Sequence, residues 1–143
     1  MQPHYLEPLF SPRSVALVGA SDRIGSLGHD VFKNLLAGSL HGEVFAINPK
    51  HSHVQGQRCY RSLPALERRV DLAVVATPAA AVPSVLADAA RAGILHVVIL
   101  AAGFGETGPA GKAREEVLRA EARRLGIRLV GPNCLGIMRP KIG

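Results

Sequence analysis

Tryptophan is absent from the chain, tyrosine occurs twice and phenylalanine four times, so aromatics make up 4% of its 143 residues. That leaves no row of stacking side chains of the kind on which single-stranded nucleic acid lies. The net charge of +6 is scattered, mainly along the expected helices, and suits solubility or a small polyanionic ligand as well as it suits nucleic acid. Cysteine is also scarce. Cys59 and Cys134 lie far apart, with neither a C-x-x-C pair nor histidines at zinc spacing. This excludes a disulfide framework and fits a reduced, cytoplasmic protein. His51 and His53 resemble half a metal site with no third ligand nearby, as solvated loop histidines do. No apolar run approaches transmembrane length, and no basic start leads into a long apolar core, so neither export nor a membrane span is expected. Internal repeats and low-complexity segments are missing too.

What the chain does have is 48% hydrophobic residues and fifteen glycines, enough apolar material for one domain over 1–143. Met1 to Arg13, with Pro3, Pro8 and Pro12, is a lead-in whose Leu6, Leu9 and Phe10 can pack a short turn. The organising stretch is Ser14 to Leu36. Val15 to Val18 has the apolar, β-branched character of a buried strand, and a loop with Gly19, Gly25 and Gly28 follows at once. Val31, Phe32, Leu35 and Leu36 then fall at helical spacing. A strand, a glycine-rich turn and a helix N-terminus can bind phosphate, because unpaired N–H groups and the helix dipole face the turn. The same pattern also occurs as a plain connection. Gly19 and Gly25 stand too far apart for the compact G-x-G-x-x-G fingerprint, which argues against an ordinary NAD site.

Further along, Glu43 to Ile47 reads as a second strand ending at Asn48, Pro49 and Lys50, and His51 to Arg61 as loop. Leu63 to Arg69 has room for one or two helical turns. Leu72 to Ala76, apolar on both faces, reads as a central strand closed by Thr77 and Pro78. A helix over Val82 to Ala92 leads to a fourth strand, His96 to Ala101. A helix from about Ala110 to Leu125 is expected to turn Val117, Leu118, Ala122 and Leu125 inward, with Glu115 and Arg119 paired outward. Arg128 to Val130 is the fifth strand. The alternation gives a Rossmann-type α/β fold: a doubly wound parallel sheet of about five strands, with expected order 3-2-1-4-5. Its carboxyl rim gathers Gly19 to Gly28, Asn48 to Lys50, Thr77 with Pro78, Ala101 to Gly105, and Asn133 with Cys134.

An NAD site needs an acidic residue at the end of the second strand. That place holds Asn48, Pro49 and Lys50. A cation there favours a ligand with a phosphorylated ribose, NADP or coenzyme A, although a solvated loop lysine also fits.

Five segments together resemble one family. They are Ser14 to Gly28, Ile47 to Lys50, Asp71 to Pro78, Ala102 to Glu106, and Gly131 to Gly136. In that order they are similar to the N-terminal CoA-binding domain of NDP-forming (ADP-forming) acyl-CoA synthetases, relatives of the succinyl-CoA synthetase alpha subunit. A similar domain occurs in some protein acetyltransferases. The resemblance implies that coenzyme A or acyl-CoA is bound by the loop Gly19, Ala20, Ser21, Ile24, Gly25, Ser26, Leu27 and Gly28, with Ile24 to Leu27 at the phosphates. Asn48, Pro49 and Lys50 would meet the phosphorylated adenosine end. Thr77, Pro78, Leu100, Ala101 and Ala102 would line the adenine and pantetheine path, and Asn133 would lie near the thiol end. Cys134 has no adjacent histidine to activate it and is expected to be a small buried side chain rather than a nucleophile.

The resemblance further implies a following ligase domain with a phosphorylated histidine, and an ATP-grasp module in the same or another chain. None of the histidines here sits in that motif, so the segment alone is expected to be non-catalytic. Met1 suits a natural N-terminus and Lys141-Ile142-Gly143 suits a cut, so an excised domain and a free-standing CoA-binding regulatory module both remain open, as does the NADP-binding half of an oxidoreductase.

Overall fold

In the computed structural model, which describes residues 4–38 and 42–140, Ser14–Val18 forms strand β1 with all five residues buried. It lies at the centre of a seven-stranded sheet. The other strands are β2 (Glu43–Ile47), β3 (His53–Val54), β4 (Gln57–Tyr60), β5 (Leu72–Val75), β6 (His96–Ile99) and β7 (Arg128–Val130). The spatial order is β3-β4-β2-β1-β5-β6-β7, parallel throughout except for the antiparallel β3/β4 hairpin. Helix α1 spans Glu7–Phe10, α2 Leu27–Ala37, α3 Val82–Arg91 and α4 Pro109–Leu125.

This is the expected doubly wound α/β architecture, with two corrections. The stretch His51 to Arg61 is not all loop: Gln57–Tyr60 pairs parallel with β2, Ala46 facing Cys59 and Ile47 facing Tyr60. Leu72–Val75 is not beside β2. It pairs with the other side of β1, Val15 opposite Leu72 through Val18 opposite Val75. The order 3-2-1-4-5 is therefore obtained only when β4 takes the third place, and the strand at Leu72 moves across β1. The segment expected to turn helically after Leu63 holds a 3-10 turn, Pro64–Leu66.

Because successive side chains of a strand point to opposite faces, the sheet makes two cores. Ala16, Val18, Ala73, Val75, Val97 and Ile99 face Val82, Leu86, Leu118 and Ala122 of α3 and α4. Val15, Leu17, Leu72, Val74 and Val98 face Leu9 of α1 and Phe32 of α2. Each fully buried Val or Leu contributes about 1.5–3 kcal/mol. Val117 departs from expectation, since it is 69% exposed on the outer side of α4. Glu115 and Arg119 do pair outward, at 2.6 Å.

The amino rim of the sheet is closed by the protein's own bonds. Arg13 N–H donates to Asp71 Oδ2 (2.8 Å), Asp71 N–H to Ser14 Oγ (3.0 Å), and Glu43 N–H to the Arg13 carbonyl (3.0 Å). No helix among the described residues is long and apolar enough to cross a membrane. Residues 1–3 of the lead-in and the ending 141–143 lie outside the described residues.

Candidate functional site

At the carboxyl rim the strand order reverses at β1, with β2 and β4 on one side and β5 to β7 on the other, and backbones approach closely. Gly19 N–H donates to the Ile47 carbonyl (2.9 Å) and Ala76 N–H to the Val18 carbonyl (2.8 Å). Gly19 has φ +93°, and a Cβ there would stand 2.8 Å from the Ala76 carbonyl oxygen, so glycine is required on both counts. In doubly wound sheets this reversal is where a ligand crevice opens.

The β1–α2 loop is held from below. Ala20 is buried and its carbonyl accepts the Asn48 side-chain amide at 2.9 Å. Ser21 Oγ accepts Arg23 N–H (3.0 Å). Ser26 caps α2: its Oγ accepts His29 N–H at 3.2 Å and donates to the Arg23 carbonyl at 2.7 Å. With His29 and Asp30 bonded to Ser26, the N–H groups of Ile24, Gly25, Leu27 and Gly28 meet no acceptor among the described residues. Above them is open space. Ile24 is 85% exposed, Leu27 46%, and a Cβ on Gly25 would touch nothing within 4 Å. Gly28 is the buried exception, pressed against Gly19.

Around this loop the other rim turns converge. Asn48 is half-buried and spent on structure: besides holding Ala20, its Oδ1 accepts Lys50 N–H at 3.0 Å. Pro49 and Lys50 are exposed beyond it. At the end of β5, Thr77 is half-buried with Pro78 exposed after it, and Thr77 Oγ1 is a buried hydroxyl without a hydrogen-bond partner among the described residues. Such a group normally finds one. Leu100 is half-buried, Ala101 buried and Ala102 exposed at the end of β6. Asn133, exposed with φ +50°, is fastened to this turn by its N–H, which donates to the Ala101 carbonyl at 3.0 Å. Cys134 is half-buried, its thiol donating to the Ile99 carbonyl at 3.4 Å. Cys59 is a buried residue of β4, and burial pushes its thiol above the ordinary range. No cluster of metal-ligating side chains occurs among the described residues.

Two side chains of this rim were given no role of their own in the sequence, although Glu106 ends one of the segments that carry the resemblance. Glu106 accepts N–H bonds from Gly103 and, at 3.1 Å, from Phe104, which folds the β6–α4 turn back on itself. These donors, that of Gly103 foremost, hold its carboxyl below the usual range. Gln55, at the tip of the β3–β4 hairpin, reaches the glycine loop: its side-chain amide donates to the Ser21 carbonyl (3.2 Å) and the His29 carbonyl (3.0 Å). A glutamine before glycine at a hairpin tip reads simply as turn.

Four unengaged amides at a helix N-terminus, an exposed lysine on the turn after β2 and an unpartnered hydroxyl are groups that can receive a polyanion. Comparison with known proteins gives the family. The family model described as "CoA binding domain" matches residues 13–140. The alpha subunit of ADP-forming acetate–CoA ligase II from Pyrococcus furiosus is 41% identical over 133 residues, which cover 93% of this chain and 29% of that subunit. A dinucleotide-forming acetyl-coenzyme A synthetase 1 from Candidatus Korarchaeum cryptofilum, solved with phosphate and ADP, superposes with a TM-score of 0.86 at 36% identity. It covers 92% of this chain and 28% of the synthetase. A conserved hypothetical protein from Pyrococcus furiosus superposes with a TM-score of 0.66 at 28% identity, over 82% of this chain and 90% of that one.

Proposed function

The chain belongs to the CoA-binding domain family, and from that membership we propose that its carboxyl rim holds coenzyme A as the CoA-binding part of an ADP-forming acyl-CoA synthetase. One observation carries the assignment to this rim: the unengaged amides of Ile24, Gly25, Leu27 and Gly28 lie where the loop after β1 enters α2, while the turn after β2 holds Lys50 instead of a carboxylate. The amides take the diphosphate, and Gly25, with no Cβ and open space above it, lets the diphosphate approach the α2 N-terminus. Lys50 takes the ribose phosphate. Thr77 supplies its unpartnered hydroxyl to the nucleotide, and the turn Leu100 to Ala102 with Asn133 borders the pantetheine arm. When bound, coenzyme A supplies the thiol that accepts an acyl group.

The curated relatives are several times longer than the chain, which spans 29% of the Pyrococcus furiosus subunit and 18% of the Methanocaldococcus jannaschii ligase. We therefore assign it a positioning task. Activation of the acid falls to a ligase domain and an ATP-grasp module, in the same or another chain. A second reading, a free-standing CoA-binding module, is favoured by the likeness to the short Pyrococcus furiosus protein, of which the chain covers 90%.

Calorimetric titration of the chain with coenzyme A, NADP and NAD side by side tests the proposal. Binding of coenzyme A in preference to both dinucleotides is expected. Tighter binding of NAD or NADP overturns it.

A further inference from the structure

We infer that Gln55 is a positioning residue that sets the shape of the phosphate-holding loop from the β3–β4 hairpin, an inference that rests on the CoA reading of the rim. The hairpin lies at the edge of the sheet, yet its tip reaches inward. Gln55 donates its backbone N–H to Asp22 Oδ1 at 2.7 Å, and its side-chain amide bridges the carbonyls of Ser21 and His29 at 3.2 and 3.0 Å. Three bonds from one residue thus fasten both ends of the stretch that presents Ile24 to Gly28. Ser21 and Asp22 lie before the open amides, and His29 lies in the first turn of α2.

The alternative is that Gln55 only completes a tight turn. It has φ +48° and is followed by Gly56 at φ +76°, the paired left-handed residues that a two-residue hairpin turn requires. Glutamine is poorly suited to that conformation, whereas asparagine and glycine suit it well. A turn-only role would favour a shorter side chain. The long side chain is instead used across the gap, both of its amide hydrogens donated to carbonyls of the β1–α2 connection. Neither bond uses an N–H group of Ile24, Gly25, Leu27 or Gly28, so the hairpin fastens the connection on either side of these amides and leaves them unengaged.

The substitution Gln55→Asn separates the two roles. Asparagine fits the left-handed turn better and keeps the backbone bond to Asp22, but its amide is one methylene too short to span Ser21 and His29. Gln55→Glu keeps length and removes the donors, setting a carboxylate against two carbonyl oxygens. Both variants of the full chain are titrated with coenzyme A and with dephospho-coenzyme A, with melting temperatures taken in parallel. A loss of roughly tenfold is expected, equal for the two ligands because the loop meets the diphosphate they share, with the melting temperature of Gln55→Asn unchanged or raised. Should Gln55→Glu fail to fold, Gln55→Asn still decides. Wild-type affinity in a folded Gln55→Asn overturns the inference while leaving CoA binding intact, and so does a loss confined to coenzyme A. Failure of the unsubstituted chain to bind coenzyme A overturns the CoA reading instead.

Discussion

A Cβ atom on Gly28 would stand 1.9 Å from the carbonyl oxygen of Gly19, so the first turn of α2 rests directly on the end of β1. Both partners in that contact are backbone and neither can rotate away. Gly28→Ala is therefore expected to push α2 off the sheet and to lower stability by about 2–3 kcal/mol, the upper part of the usual overpacking range. A thermal or urea melt reads this without any ligand.

Gly25 gives the opposite outcome. Its φ of +79° disfavours a side chain, but the space above it is open. Gly25→Val should cost about 1–3 kcal/mol of backbone strain and abolish coenzyme A binding, because the branched side chain occupies the approach to the helix N-terminus. Normal binding by a folded Gly25→Val would make the loop a plain connection.

Lys50 is exposed, and its backbone is fixed by Asn48 Oδ1. Lys50→Ala should weaken coenzyme A about tenfold, in the range of a charge-assisted phosphate contact, and leave dephospho-coenzyme A almost unchanged. Equal losses for the two ligands would remove Lys50 from the ribose phosphate.

The carboxyl of Glu106 is held below its ordinary range, first by the N–H of Gly103, then by its own N–H, with a smaller contribution from Phe104. A group whose folded pKa is depressed stabilises the turn above its unfolded value, and this is lost as pH falls through the folded one. Measured against their intrinsic exchange rates, the Gly103 and Phe104 amides should therefore lose protection as pH drops below the carboxylate range. Glu106→Gln should exchange faster at neutral pH and lose that acid dependence. An unchanged profile in Glu106→Gln would assign the protection to another group.

Given acetate, ATP and coenzyme A, the isolated chain is expected to form no thioester, since holding a thiol in place supplies no activated acyl group. Turnover should appear when a ligase domain and an ATP-grasp module are added. Acyl-CoA made by the purified chain alone would overturn the positioning role.

Much of this was legible in the residues. Val15 to Val18, Leu72 to Val75 and Val97 to Ile99 are continuous apolar runs because both faces of the central strands are covered, and strands form on these residues as the sequence leads one to expect. The β3–β4 hairpin was not legible. Among His53, Val54, Gln57, Arg58, Cys59 and Tyr60 only Val54 and Cys59 are buried, so an edge position leaves too little apolar alternation to mark a strand. Missing that hairpin is also what misplaced Leu72–Val75 beside β2. At the rim, glycines and the lysine announced themselves by type. Gln55 did not, nor did the bond by which Asn48 holds Ala20, because polar side chains in loops have the same composition whether they face solvent or, as here, fasten a neighbouring loop.

That hairpin also ends the sheet. Its outer strand β3 has two residues, and the strand at the opposite edge, β7, has three. Strands this short give an incoming chain few backbone groups to pair with, so neither edge is a template for strand addition or for cross-β growth. A partner is therefore expected to meet helix faces, loops and side chains, and to leave without breaking a backbone ladder.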